Sequence, residues 1–154
     1  MNSTISAPCP LCEDDGEVLW RGNALRVIDA CAPDHPGYTR VIWNAHVAEM
    51  TQLPTAARDR LMRVVWTVEQ ALRDTLAPDK INLAEFGNQV PHLHWHVIPR
   101  WRSDTHFPDA IWAAPITGSD ERQTRWATLR SQLLNRLPTY HDALRRALDA
   151  LTKT

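Results

Sequence analysis

Apolar residues along this chain change period several times, and each change marks an element. Residues 17–20 and 24–30 are short apolar-rich runs flanking Arg21-Gly22-Asn23, which predicts two strands joined as a hairpin. Residues 31–38 hold two prolines and a glycine and read as a loop, followed by a third strand over 39–45. From Pro54-Thr55 the period becomes helical: Leu61, Val65, Val68, Leu72 and Leu76 fall on one stripe, and Pro78 ends it. Residues 80–86 predict a strand, Gly87-Asn88 a turn, and residues 92–100 another strand. Residues 101–118, with Pro108 and Pro115, read as irregular. Residues 119–136 and 139–152 predict two helices broken at Pro138. The order is βββ-α-ββ and then helices. It predicts an α+β fold: a mainly antiparallel sheet, one long central helix and C-terminal helices.

At 154 residues the chain is expected to form a single domain, 1–154, large enough for a hydrophobic core. A formal net charge of -1 gives no global attraction for nucleic acid or an anionic membrane, and neither is expected as a partner. Residues 1–8 are small and polar, without the basic and apolar blocks of a signal peptide, and no apolar run approaches the ~20 residues of a membrane helix. The expectation is a cytoplasmic protein. Of three cysteines, two form Cys9-Pro10-Leu11-Cys12, and Cys31 reads as a buried thiol. His35, His106 and His141 read as surface residues, and Trp66 and Trp95 as core. Trp101 and Trp112 are assigned either to a dimer contact or to a cover over a site.

The chemistry concentrates in His92-Leu93-His94-Trp95-His96-Val97-Ile98. On a strand, residues i, i+2 and i+4 share a face, so the three imidazoles align while Leu93, Trp95 and Val97 point to the other side. A helix would scatter them. The plain alternative is a surface strand with solvated histidines. Against it stands the apolar alternation, which implies an ordered sheet, and the need of each buried ring for hydrogen-bond partners.

This run matches the signature His-φ-His-φ-His-φ-φ, with φ apolar, and the chain resembles the histidine triad (HIT) family of nucleotide hydrolases and transferases. The resemblance covers about residues 9–100 and leaves 101–154 as a C-terminal extension. It extends to Gly87-Asn88-Gln89-Val90, similar to the family's Gly-Gln-Ser/Thr-Val loop, to Asp29 on a strand, and to His46 closing Arg40-Val41-Ile42-Trp43-Asn44-Ala45-His46. The family's Pro-Lys before that histidine is Trp43-Asn44 here, which removes a positive charge. The resemblance implies a HIT-like fold, a nucleotide substrate and a homodimer. It implies His94 as the nucleophile on the α-phosphorus, oriented by a backbone carbonyl, and His96 as a contact to the phosphate or leaving group. Asn88 and Gln89 would donate to phosphate oxygens, with turn formation as their other reading. Asn82 is equally a phosphate contact or a polar edge-strand residue. Asp29 would take the ribose hydroxyls, or cap a turn. Val27 and Leu11 would wall the base pocket, or be plain core.

Some HIT relatives join a Cys-x-x-Cys to the upstream histidine and the first triad histidine around zinc. By that resemblance Cys9, Cys12, His46 and His92 would form a structural zinc site with no open position, and the chemistry would need no metal. The alternative is two reduced thiols and an extra active-site histidine. The implied function is hydrolysis of a dinucleoside polyphosphate or a nucleoside phosphoramidate through a nucleotidyl-histidine. Two rivals remain at this level. One is a nucleotidyltransferase of the hexose-1-phosphate uridylyltransferase type, whose relatives typically carry Gln at the third histidine. The other is a non-catalytic nucleotide- or zinc-binding module.

Overall fold

The computed structural model describes residues 8–13 and 16–152, and residues 1–7 of the polar N-terminal stretch lie outside them. A short helix α1 (Pro10–Glu13) leads into strands β1 (Glu17–Arg21), β2 (Leu25–Asp29) and β3 (Thr39–Trp43). Then come the long helix α2 (Thr55–Leu76), strands β4 (Lys80–Ala84) and β5 (His94–Arg100), and helix α3 (Asp120–Leu151). The five strands form one sheet in the order β1-β2-β3-β5-β4, with antiparallel pairing throughout. The expected α+β architecture is the one observed.

The two faces of the sheet have different work. Leu25, Val27, Val41, Trp43, Val97 and Ile81 turn to one side and join the main core with the α2 stripe Leu61, Val65, Val68, Leu72 and Leu76. α3 lies against α2 and β1 and adds Trp126, Leu133, Tyr140, Leu144 and Leu148. The other face carries Arg26, Ile28, Arg40, Ile42, His94, His96 and Ile98, which pair in register across β2, β3 and β5 or alternate with the core positions. Core burial on one face thus fixes which side chains must project from the other.

Gly37, at φ +83, lets the chain turn into β3 where any side chain would collide, since an added Cβ would lie 2.7 Å from Leu76 Cδ1. β3 is thereby seated on α2, and a hydrogen bond of 2.7 Å between Thr39 Oγ1 and the Tyr140 hydroxyl ties it to α3.

Three expectations are corrected. Pro138 does not divide two helices: α3 runs unbroken from Asp120 to Leu151. An interior proline costs about 3 kcal/mol, but Leu133 and Tyr140 on either side of it are fully buried, and that burial outweighs the lost bond. Trp66 is not core. It lies on the outer side of α2, 55% exposed. Cys31 is an exposed thiol in a left-handed turn at φ 52, with its Sγ 3.3 Å from Glu17 Oε2 and its pKa pushed up to about 11 by partial desolvation and the nearby carboxylates Glu17 and Asp29.

Candidate active site and metal centre

β5 begins at His94, two residues later than expected, so the first histidine of the run stands ahead of the strand. His92 Nε2 donates to the Trp43 carbonyl at 2.6 Å, which leaves the Nδ1 lone pair free. That Nδ1 lies 3.4 Å from both Cys9 Sγ and Cys12 Sγ, and Cys12 Sγ is 3.4 Å from His46 Nδ1. The four ligand atoms all lie within 4.8 Å of one another. Zinc–sulfur and zinc–nitrogen bonds meeting at a tetrahedral angle put S and N about 3.5 Å apart, so the spacing fits a tetrahedral cation. A histidine whose other nitrogen donates to a backbone carbonyl is the usual arrangement around such an ion. Burial holds the His92 pKa down, which keeps the ring neutral and able to ligate. Arg26 anchors the thiol-bearing segment by donating to the Leu11 carbonyl at 2.6 Å and to Asn44 Oδ1 at 3.2 Å.

His94 and His96 share the open face of β5, with ring centroids 4.7 Å apart. His94 Nδ1 donates to the His92 carbonyl at 2.6 Å, so the unprotonated nitrogen is Nε2, and Nε2 makes no hydrogen bond to the described residues. Burial lowers the pKa of His94, and burial with the neighbouring His94 and Arg40 lowers that of His96 to about 3. Both rings are neutral near pH 7. Electrostatically the site is a pair of neutral imidazoles next to a cation, Arg40, which pairs with His96 in register. Arg40, Tyr38 and Phe86 are missed by the sequence reading, which leaves Trp112 between a dimer contact and a cover over the site. No local signal marks Arg40, because its place beside His96 is set only by the pairing of β3 with β5. Phe86 and Trp112 meet edge to face at 5.1 Å, and the Trp112 ring stands 5.3 Å from that of His96. Trp112 therefore covers the site, while Trp101 packs in the core against Trp126.

The remaining expected residues divide. Asn88 and Gln89 are exposed in the turn before the triad and make no side-chain hydrogen bond to the described residues, so their donors are available. Asn82 Oδ1 is taken by Arg100 at 2.9 Å, which favours the structural reading of that residue. Asp29 is not brought to the imidazoles. It pairs with Thr39 at the helix-facing end of β2, accepts from the Cys31 amide at 2.7 Å and lies 3.3 Å from His141 Nε2, at ion-pair distance. These partners outweigh burial and lower its pKa. His141 is thus no plain surface histidine. Nor is His35, which is buried against the His106 ring at 5.2 Å. Val27 is fully buried in the core, on the face opposite His94, so the plain-core reading replaces the pocket wall. Leu11 sits on α1 at the thiol end of the sheet.

Residues 13–103 match the family model described as HIT domain. The chain belongs to the HIT family. Among curated HIT-like relatives, a protein named AP-4-A phosphorylase from Mycobacterium tuberculosis is 26% identical over 121 residues, which cover 75% of this chain and 62% of that protein. The chain therefore spans less than two thirds of that relative's length. Among solved structures, a histidine triad protein from Bradyrhizobium japonicum is 25% identical with a TM-score of 0.59, over 75% of this chain and 89% of the other. A histidine triad (HIT) protein from Sinorhizobium meliloti shares the fold at 21% identity and a TM-score of 0.62, over 86% of this chain and 100% of the other. No helix among the described residues is long and apolar enough to cross a membrane.

Proposed function

We propose that this HIT protein cleaves a dinucleoside polyphosphate, with nucleoside phosphoramidates as simpler substrates of the same site, through a nucleotidyl-histidine intermediate on His94. The observation that carries the reading is the His94 ring itself. Its Nδ1–H is held by the His92 carbonyl, and its Nε2 lone pair is unengaged, neutral and next to a cation. Nε2 attacks the α-phosphorus and forms a P–N bond. The bridging P–O bond breaks, and the leaving group departs with its electron pair. Water then attacks phosphorus, the P–N bond breaks and a nucleoside monophosphate is released. Asn88 and Gln89 are the donors for the phosphate oxygens. The Cys9, Cys12, His46 and His92 cluster holds zinc as a structural ion, and no step passes through it.

The name of the mycobacterial relative favours a second acceptor, inorganic phosphate in place of water. One assay addresses both. With diadenosine tetraphosphate and added phosphate, the leaving group is ATP in either case, so AMP beside it means hydrolysis and ADP beside it means phosphorolysis. Either requires the intact imidazole, so His94→Ala is expected to lose at least about a thousandfold in turnover, along with the nucleotide adduct seen by mass on the native chain. Undiminished turnover in that variant removes His94 as the nucleophile.

A further inference from the structure

Two residues that the reading of the triad leaves unused meet at His96. Tyr38, just ahead of β3, is buried, and its hydroxyl oxygen lies 2.5 Å from His96 Nδ1. On the other side of that oxygen is Arg40, whose Nε donates to it over a long 3.4 Å, with the guanidinium carbon 5.4 Å from the Tyr38 ring centroid. An arginine N–H can only donate, so the tyrosine oxygen accepts there. Tyr38 has one proton to place. Among the described residues its hydroxyl has one further partner, His96 Nδ1. A ring nitrogen that accepts carries no proton, and a neutral imidazole has a single N–H. His96 must then carry it on Nε2, the nitrogen that makes no hydrogen bond to the described residues and shares the open face with His94. The reverse arrangement, His96 Nδ1–H donating to Tyr38, would leave the tyrosine proton without an acceptor. It would also aim a lone pair at the phosphate oxygens.

We propose that Arg40 and Tyr38 form a relay that fixes the tautomer of His96, presenting Nε2–H as a standing donor to the oxygen that leaves phosphorus. The direction of the chemistry rests on the reading of His94 as nucleophile, whereas the tautomer does not. No proton needs to be transferred. A phosphoanhydride leaving group departs as an anion with the electron pair of the broken P–O bond, and Nε2–H stabilises the charge as it develops. Tyr38 and Arg40 are positioning residues in this scheme, since they act through His96. Because burial with two cationic or ionisable neighbours keeps the ring neutral at pH 7, the position of its one proton is the property left to set.

The test is the nitrogen-15 spectrum of the histidine rings in the full-length protein, read beside kinetics. In the native chain His96 is expected to show a protonated Nε2 and a bare Nδ1. Tyr38→Phe keeps the packing and removes the hydroxyl, so His96 should shift to a mixture of tautomers. Its kcat on a diadenosine polyphosphate should fall by about tenfold with KM within about twofold. The loss should shrink on a nucleotide 2,4-dinitrophenyl ester, whose much more acidic leaving oxygen develops less charge that needs a donor. Arg40→Gln should move the tautomer the same way, and it decides the matter if Tyr38→Phe does not fold. A native His96 protonated on Nδ1 overturns the relay. So does a Tyr38→Phe protein that keeps Nε2–H and loses the same factor on both substrates. If the native chain cleaves neither substrate, the proposed reaction fails while the spectrum still decides the relay.

Discussion

Four buried histidines, His35, His92, His94 and His96, have their pKa lowered, with burial as the largest cause in each. The sign of the consequence follows from proton binding. The unfolded chain takes up protons on these rings below about pH 6.5, and the folded chain refuses them. Their contribution to stability is therefore complete above pH 6.5 and declines as the pH falls, down to about 3 for His96. The lowered carboxylates of Asp29 and Asp104 act in the same direction, but only below their ordinary value of 3.8. The urea midpoint should accordingly begin to fall between pH 7 and pH 5, above the range in which Asp29 and Asp104 act, and His96→Gln should flatten part of that slope without touching the thiol cluster. A midpoint constant from pH 7 to pH 5 would contradict the burial argument. The same residue-level reasoning explains the fate of Asp29. A carboxylate on a strand end reads as a ligand contact until α3, more than a hundred residues later, supplies His141.

The segment between β5 and α3 has no regular element, yet it is held by one buried acid. Asp104 accepts from Arg100 Nε at 2.8 Å and Nη2 at 3.0 Å, and from the backbone amides of Trp101, His106 and Phe107. Neither partner of the ion pair is more than 1% exposed. From α3, Arg122 donates to the carbonyls of Asp104 and Phe107, and this pins the segment that carries Trp112 over His96. Removing one partner of such a pair strands a buried charge, so Asp104→Ala should cost about 3–5 kcal/mol in urea unfolding and also lower kcat/KM, because the Trp112 cover is released. Native-like stability in that variant would mean the network contributes little. Sequence periodicity could not reveal this knot. It located the strands and α2 because burial on one face imposes period 2 or 3.6 on residues close in the chain. Asp104, by contrast, is defined by Arg100 together with turn geometry that leaves no periodic trace. Trp66 was misread for a related reason, since an aromatic on a helix says nothing about which side a later helix will cover. At Pro138 a local rule was overruled by distant packing. The triad fared better because its period and its chemistry coincide in five consecutive residues, whereas Tyr38 and Arg40 become visible only once β3 is laid against β5.

At the scale of the whole molecule, the sheet separates stability from chemistry. α2 and α3 cover one face with the apolar core, and the imidazoles project from the other, so the site gains its rigidity from packing it does not share. The N-terminal segment is the exception. Its helix α1 has four residues and none of them is buried, so apolar packing gives it little reason to stay in place. Among the described residues, it is held by the Arg26 bond to the Leu11 carbonyl and by the convergence of Cys9 and Cys12 on His46 and His92. A cation there would cross-link chain positions as distant as 9 and 92, and would fix the very backbone whose His92 carbonyl orients His94. The structural zinc reading therefore predicts a stability effect with a catalytic echo. Purified protein should contain one zinc per chain by elemental analysis. A strong chelator should lower Tm by about 5–10 °C, as expected when a site saturated about a hundredfold above its Kd is emptied in a chain of this size. Cys9→Ser should reproduce that loss and make the chelator ineffective, whereas His94→Ala should abolish turnover and keep both the metal and the chelator response. Were the chelator to leave Tm unchanged in a protein that carries no zinc, the four ligands would be a reduced thiol pair beside two histidines, and the orientation of His94 would rest on the Trp43 and His92 carbonyl bonds alone.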